Sequence, residues 1–245
     1  FGHATASDPL PGTRFETAPL YVAFSDTGLN GCAVSFQRHL RDRIVTWPQP
    51  DTLRPVHYNC WEAIYFDHSL AALTAIADRA AALGAERFVL DDGWFKGRND
   101  DTTSLGDWTI DAAKWPDGLT PLIDHIHGLG MTFGLWFEPE MVNADSDLAR
   151  AHPDWILGPM TQPLGRGQYV LDMANADMRD HLFTQISTML SSNSIEYIKW
   201  DHNRVLPHNN AAQTRGTYDL LKRLRDAHPE VEIESCSSGG GRIDF

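Results

Sequence analysis

The stretch IEYIKWDHNR, residues 195–204, joins the pattern of a buried strand to a run of chemically active side chains. Ile195, Tyr197 and Ile198 predict the strand. A strand usually ends in turn-forming residues. This one is followed instead by Lys199, Trp200, Asp201, His202, Asn203 and Arg204. Cations, aromatic rings, a carboxylate and an amide are the groups that a site for a polar ligand needs.

Four other stretches also predict strands, and each ends in similar chemistry. The five predicted strands occupy residues 55–61, 86–92, 131–139, 195–201 and 231–237. The other four carry, at their carboxyl ends, Asn59, Cys60, Trp61 and Glu62, then Asp91, Asp92, Gly93 and Trp94, then Trp136, Glu138 and Glu140, and finally Cys236, Ser237 and Ser238. All five are nearly continuous apolar runs, which is typical of parallel strands with both faces covered.

Helical patterns separate these strands. The predicted helices occupy residues 69–84, 119–130, 177–192 and 211–227. Ser69 is placed as an N-cap, and Gly84 and Gly130 stand at the ends of the first two helices. Because strands and helices alternate, the sequence predicts parallel βα units.

The position of the polar residues separates the two folds that fit this alternation. A doubly wound sheet concentrates function at one switch point. In a (β/α)8 barrel, by contrast, the carboxyl ends of all strands face one pocket. Since five strands in succession end in site chemistry, the sequence predicts an α/β fold that is a partial (β/α)8 TIM barrel.

The whole chain limits the class of partner. Its 245 residues include 33 acidic and 20 basic ones, for a formal net charge of -13. Such a surface repels nucleic acid and anionic membrane, and no run of 18 apolar residues predicts a membrane span. The three cysteines form neither a disulfide scaffold nor a metal site. We therefore predict no cofactor and no metal, and, since no N-x-[ST] sequon occurs, a cytoplasmic location.

The side chains at the strand ends favour a carbohydrate ligand. Sugar hydroxyls bind carboxylates and amides, and the apolar face of a pyranose packs on an aromatic ring. Each residue alone has a second interpretation: Asp91 or Asp92 is as readily a helix N-cap, and Trp136 or Trp200 is more often core packing. The acidic loop around Asp100 is interpreted as solvated surface.

Seven motifs, in order along residues 18–245, resemble those of the glycoside hydrolase family 36 α-galactosidases. They are RPVHYNCWEAIYFDH, FVLDDGWFKGRNDD, SLGDW, GLWFEPEMVN, YVLDMANADMRD, YIKWDHNR and ESCSSGGGRIDF. The resemblance implies that residues 1–50, with one short β run, a helix and a linker, are the tail of an N-terminal β-sandwich domain. Residues 51–245 are then an incomplete catalytic barrel.

The resemblance also implies a retaining α-galactosidase, which releases terminal α-D-galactose from oligosaccharides such as melibiose and raffinose through a covalent galactosyl-enzyme intermediate. Asp201 corresponds to the nucleophile. The substrate-binding residues that it implies are Trp61, Asp91, Asp92, Trp136, Arg166, Lys199, Trp200, His202, Asn203 and Cys236. The partner is a small α-galactoside, and the family's homo-oligomers suggest a tetramer.

Two departures from the family pattern affect these expectations. The family's acid/base residue lies in a W-x-S-D motif that follows the glycine-rich loop, so we expect it beyond residue 245. We therefore expect residues 1–245 alone to be inactive. Asp244, in the loop before that motif, is interpreted as structural. Cys60 stands where many relatives have Asn or Thr. A galactosyl transferase of the raffinose-synthase type uses the same nucleophile and stays open. A non-catalytic galactoside-binding relative would lack Asp201.

Overall fold

Five parallel strands form one curved sheet in the computed structural model, which describes residues 19–208 and 211–238. With two further strands outside this sheet, the described residues contain seven: β1 (His57–Asn59), β2 (Arg87–Leu90), β3 (Thr132–Phe137), β4 (Met141–Asn143), β5 (Gln168–Val170), β6 (Tyr197–Trp200) and β7 (Glu232–Ser235). The sheet has the order β1-β2-β3-β6-β7, and β4 pairs with β5 in a separate antiparallel ribbon. The five predicted strands and the partial barrel are thus confirmed.

The α-helices of the described residues are α1 (Leu29–His39), α2 (Trp61–Ile64), α3 (Leu70–Ala82), α4 (Thr120–Gly128), α5 (Asp147–Ala151), α6 (Ala176–Ser192) and α7 (Ala211–Ala227). Helices α3, α4, α6 and α7 lie between strands of the sheet and cover its outer face. A π-helical turn, Leu40–Ile44, extends α1, and a 3-10 turn, Pro153–Trp155, follows α5. The four helices predicted between strands are all present.

Helix α3 shows how the local sequence sets the element. The Ser69 hydroxyl accepts the N–H of Ala72 at 3.3 Å, so it supplies the predicted N-cap. Leu73, Ala77 and Ala80 recur at helical spacing and form the buried face. Gly84 has φ 92°, a left-handed conformation that ends the helix without the steric cost of a side chain.

The two faces of the sheet differ in chemistry. The outer face is apolar and fully buried against the helices: it carries Phe88, Leu90, Phe133, Leu135, Phe137 and Ile198. The inner face is polar. On this face β3 and β6 approach closely at Gly134, where a Cβ would lie 2.8 Å from the ring of Tyr197. Alternation therefore directs every second strand residue toward the interior of the barrel.

The connection from β3 to β6 is the longest in the sheet and contains the β4–β5 ribbon. Residues 165–168 turn sharply before β5, with the N–H of Gln168 donating to the carbonyl of Gly165 at 3.0 Å. Arg166 and Gly167 both have positive φ, 52° and 71°. We call residues 165–168 the Arg166 turn.

One local prediction near the start of the chain is wrong, and the domain assignment there stays a prediction. Residues 19–25 form no strand, because no other part of the described chain pairs with them, and Leu20, Val22 and Phe24 are exposed. Residues 1–18 lie outside the described residues, so the assignment of residues 1–50 to a β-sandwich tail is not tested. None of the helices within 19–208 and 211–238 combines the length and apolar character needed to cross a membrane.

Candidate active site

The carboxyl ends of the five parallel strands bring six predicted site residues together around four carboxyl groups. Asp91 accepts a hydrogen bond from Lys199, and Asp201 accepts hydrogen bonds from Trp136, Asn203 and Cys236. The charge of Asp201 also acts on Lys199, which relates the two groups. Lys199 and Asp201 are two residues apart on β6 and its continuation, so both point inward. This edge of the sheet is the candidate active site.

Asp91 is held by two side chains from other strands, Asn59 on β1 and Lys199 on β6. Its Oδ2 accepts from Nζ of Lys199 at 2.8 Å and from the amide of Asn59 at 2.5 Å. Burial alone would lower the pKa of Lys199, but the charge and hydrogen bond of Asp91 outweigh it and raise that pKa. Lys199 therefore remains an ammonium that joins β2 to β6.

Asp92 forms a buried ion pair that the sequence did not reveal. Both its oxygens accept from the guanidinium of Arg98, Oδ1 at 2.9 Å and Oδ2 at 2.7 Å. Burial raises the pKa of the Asp92 carboxyl, while the Arg98 charge acts in the opposite direction. Arg98 is itself only 1% exposed. A bidentate pair of this kind fixes the carboxylate in both position and plane.

Arg98 also connects Asp92 to the Arg166 turn. Its Nη1 donates to Oδ1 of Asn143 at 2.8 Å, and the Asn143 amide donates to the carbonyl of Gly167 at 3.0 Å. No sequence signal indicated this role, because Arg98 opens a run of acidic residues that has the pattern of a surface loop. Asp100 within that run is indeed exposed.

Asp201 is the most densely hydrogen-bonded carboxylate of the site. Its Oδ2 accepts from the Asn203 amide at 2.6 Å and from the Trp136 indole at 3.1 Å, and its Oδ1 accepts the N–H of His202 at 2.9 Å. Burial alone would raise its pKa, but these donors and the thiol of Cys236 outweigh it and lower the pKa. Asp201 is therefore an anion held in a defined orientation.

Glu138 is a fourth carboxyl group, and it is almost fully enclosed. It follows β3 directly and is 1% exposed. Its Oε1 accepts the N–H of Asn203 at 2.5 Å, and its Oε2 accepts from the Gln168 amide at 3.0 Å. Burial, followed by the nearby charge of Asp201, raises the pKa of Glu138 to about 8. Its place after an apolar strand was visible in the sequence, but its enclosure was not.

Arg166 and Trp61 lie at the rim. Arg166 is exposed and forms no hydrogen bond or ion pair with the rest of the described chain. Its positive charge nevertheless acts to lower the pKa values of Asp92 and Glu138, so both carboxyl groups lie within its electrostatic range. Trp61 begins α2, and its ring lies edge-on to Phe66 with the centroids 5.0 Å apart.

The structure does not bring two of the predicted residues, Trp200 and His202, into this cluster. Trp200 points to the helix-covered face, since it alternates with Lys199 and Asp201, and its indole donates to Glu140 at 2.9 Å. The His202 ring lies with Nδ1 3.5 Å from the same carboxyl group of Glu140, and only its backbone N–H reaches Asp201. Both residues therefore contact Glu140 in this structure, and their assignment as substrate-binding residues stays a prediction.

The two cysteines of the site have different surroundings. Cys60 is fully buried, its sulfur accepts the N–H of Asp91 at 3.4 Å, and burial raises its pKa to about 12. Cys236 follows β7, where its thiol forms a hydrogen bond with Asp201. Cys60 is therefore a neutral thiol beside Asp91. Asp244 lies outside the described residues.

The site thus combines an oriented anion with paired hydrogen-bonding groups. Asp201 is ionised, Asp91 and Asp92 are each held by a cation, and Trp136 presents an indole beside the anion. Carboxylates that are fixed by protein donors accept further hydrogen bonds from adjacent hydroxyl groups without reorganising. The arrangement can hold a polyhydroxylated ring against a carboxylate nucleophile.

Comparison with known proteins identifies the group to which this arrangement belongs. The model of the Melibiase family matches residues 14–245. An alpha-galactosidase from Escherichia coli is 52% identical over 235 residues, which cover 92% of this chain and 33% of the relative. Alpha-galactosidase Mel36A from Lactobacillus acidophilus is 42% identical over 249 residues, 96% of this chain and 34% of the relative.

Solved structures agree with the sequence relatives. A variant of the GH36 alpha-galactosidase AgaA from Geobacillus stearothermophilus, in complex with stachyose, matches with a TM-score of 0.83 and 40% identity, over 90% of this chain and 33% of that one. The chain spans about a third of the length of these relatives. Because the family match extends over most of its residues and includes the whole candidate site as described, the chain belongs to the Melibiase family.

Proposed function

We propose that the protein is a retaining α-galactosidase, which removes terminal α-linked galactose from oligosaccharides. One observation carries the proposal. Asp201 is kept ionised by four donors at the end of an inward-facing strand, beside two further aspartates that are each fixed by a cation. A glycosidase nucleophile must be an oriented anion next to groups that hold the sugar.

In the first step, an oxygen of Asp201 bonds to the anomeric carbon while the bond from that carbon to the leaving-group oxygen breaks. The leaving oxygen takes a proton from an acid. Glu138 does not suit this acid role, since Asn203 and Gln168 occupy both of its oxygens. We assign the acid to a residue outside 19–208 and 211–238. In the second step, a water oxygen bonds to the anomeric carbon while the bond from that carbon to Asp201 breaks, and the deprotonated acid of the first step takes the proton of that water.

Asp91, Asp92 and Arg166 are assigned to the recognition of galactose hydroxyls. The Lys199–Asp91 and Arg98–Asp92 pairs fix two carboxylates on adjacent residues, and adjacent carboxylates match hydroxyls on adjacent carbons. Within the described chain, the guanidinium of Arg166 has no hydrogen-bond or ion-pair partner, and its charge acts to lower the pKa values of both Asp92 and Glu138. Its exposure leaves its donors available to a ligand.

The relatives support the substrate class. Those described above are named alpha-galactosidases, and crystal structures of the AgaA enzyme contain stachyose or raffinose. Both ligands suit a site that recognises one terminal sugar. The tetramer and the cytoplasmic location are carried forward as predictions.

The test is hydrolysis by the protein at its full natural length. We expect it to cleave nitrophenyl α-galactoside at least about 100-fold faster than the α-glucoside, because the aspartates recognise hydroxyl configuration. A fluorinated galactosyl reagent should label Asp201, as peptide mass spectrometry would show. Labelling of another residue, or equal rates on both sugars, would overturn the proposal. Transfer of galactose to an added acceptor sugar in preference to water would assign the protein to the transferases instead.

A further inference from the structure

Glu138 occupies a place between two parts of the candidate site that come from different connections. Asp201 follows β6, and its N–H donates to the carbonyl of Phe137 at 2.8 Å, which extends the β3–β6 ladder by one residue. Glu138 therefore lies directly beside the turn formed by residues 201–203. On its other side is Gln168, two residues after Arg166 in the ribbon connection.

One oxygen of Glu138 controls the residue that orients the nucleophile. Oε1 accepts the N–H of Asn203 at 2.5 Å, and the side chain of Asn203 donates to Oδ2 of Asp201 at 2.6 Å. The orientation of the Asn203 side-chain amide is fixed, because its oxygen accepts from the hydroxyl of Ser238 at 2.9 Å and its nitrogen therefore faces Asp201. The position of Asp201 thus depends on the position of the Asn203 backbone.

The other oxygen of Glu138 holds the Arg166 turn. Oε2 accepts from the amide of Gln168 at 3.0 Å, and the N–H of Gln168 closes the turn through the carbonyl of Gly165. The left-handed conformation of Arg166 is unfavourable for a residue with a Cβ, so the turn needs such outside support. The oxygen of the Gln168 amide has no partner within the described residues.

We propose that Glu138 is a positioning residue, whose buried carboxyl joins the Asn203 backbone to the Gln168 side chain and so fixes Asp201 relative to Arg166. The inference rests on the proposed function, because it takes Asp201 as the nucleophile and Arg166 as a residue that binds the sugar. In this inference, Glu138 sets the distance between them. Glu138 does not touch the substrate, because it is 1% exposed and both oxygens are engaged.

Three variants of the full-length protein test this assignment. Glu138→Ala removes both hydrogen bonds, and we expect kcat to fall by roughly 100-fold, since misplacement of a nucleophile by about 1 Å has that cost. Glu138→Gln keeps the acceptor for Asn203 and can pair with the free oxygen of a reoriented Gln168, so it should stay within about 10-fold of the parent. Gln213→Ala is the matched control: Gln213 is equally buried and also makes two hydrogen bonds, with the N–H of Met173 and the carbonyl of Leu171, but neither partner belongs to the candidate site. It should leave kcat within about 3-fold.

The dependence on the leaving group distinguishes positioning from acid catalysis. A positioning residue should impair dinitrophenyl and methyl galactosides equally, whereas loss of a general acid spares the activated substrate. Sparing of that substrate in Glu138→Ala, a kcat near the parent value, or an equal loss in Gln213→Ala would each overturn the inference. Failure of the parent itself to hydrolyse galactosides would instead overturn the proposed function.

A crystal structure of Glu138→Ala tests the geometry apart from turnover. We expect the turn at residues 201–203 to shift relative to the Arg166 turn, while the Arg98–Asp92 pair stays in place. If the two turns keep their parental separation, Glu138 does not position them and the inference fails.

Discussion

The two ends of the sheet both carry charged side chains on the inner face, yet they are arranged in opposite ways. At the amino end, Glu232 lies between Arg54 at 2.6 Å and Arg87 at 2.9 Å. The Arg87 guanidinium also lies 4.3 Å from the centre of the Tyr197 ring, whose hydroxyl donates to Glu234. Each strong donor there has a protein acceptor.

At the carboxyl end, four carboxyl groups lie near three cations, and one of those cations is free of protein partners in the described chain. The carboxyl groups are Asp91, Asp92, Glu138 and Asp201, and the cations are Arg98, Lys199 and Arg166. Burial of like charges is unfavourable unless a ligand or a proton offsets it. A charge cluster alone therefore does not mark a barrel's active site. At the amino end, which we call balanced, the charges are paired with one another. At the carboxyl end, which we call unbalanced, Asp201 and Arg166 have no ion-pair partner within the described chain, and this is the end where barrel enzymes place their chemistry.

The largest expected effect comes from the anion of the unbalanced end. Asp201→Ala should lower kcat by about 10⁴-fold, because no other group can form the covalent bond. Azide should restore part of the turnover on an activated galactoside by entering the space of the lost carboxylate. Steady-state rates with and without azide check this. A variant that keeps more than about a tenth of the parental rate contradicts the assignment of Asp201.

The next effect compares two buried arginines, one at each end. Arg98→Lys should lower kcat/KM by roughly 100-fold, because a lysine cannot hold both oxygens of Asp92. Arg87→Lys is the matched control, since Arg87 is also buried and paired but lies at the amino end. It should lower the melting temperature and leave kcat/KM within about 3-fold. Equal losses of activity in both variants would remove the proposed contrast between the ends.

A smaller effect is expected when the balanced end is disturbed directly. Glu232→Gln leaves Arg54 and Arg87 without their shared carboxylate, so the free energy of unfolding should fall by about 1–3 kcal/mol. Because the site lies at the other end of the strands, kcat and KM should not change. Chemical denaturation and rate measurements on the same samples check both parts. A change in KM without a loss of stability would contradict a purely structural role for this end.

The effect that is smallest over a single pH unit concerns the pH dependence of stability, which the enclosed carboxyl group of Glu138 brings to the unbalanced end. Its pKa is about 8 in the folded protein, above the ordinary value of 4.5. Between these pH values the folded state binds one proton more than the unfolded state, so the stabilising contribution is fully present below pH 4.5 and is lost as the pH rises toward 8.

Glu138→Gln has no such proton, so the parent should lose stability relative to this variant by about 1 kcal/mol per pH unit across that window. Melting temperatures of both proteins, measured at several pH values between the two limits, check the difference. Parallel curves would show that Glu138 is already ionised in the folded protein.

Local sequence was sufficient for the elements and for most of the site. The apolar run before Asp91 and the one before Asp201 predicted strands, and their shared carboxyl edge follows from parallel pairing. The alternation of side chains was equally available: residues 199 and 201 share a face, so Trp200 must lie on the other. This alternation by itself excludes Trp200 from the inward-facing set, although its aromatic ring had suggested a sugar contact.

What the sequence by itself determined is therefore the set of strands, the helices between them and the edge at which the carboxylates gather, since these depend on periodicity and local capping. Only the tertiary structure decided which donor each carboxylate receives. Arg98 reaches Asp92 across six residues of loop, and Glu138 joins Asn203 to Gln168 from separate connections. Such partners depend on how loops of different lengths fold over the strand ends, and no local pattern in the chain encodes that distance.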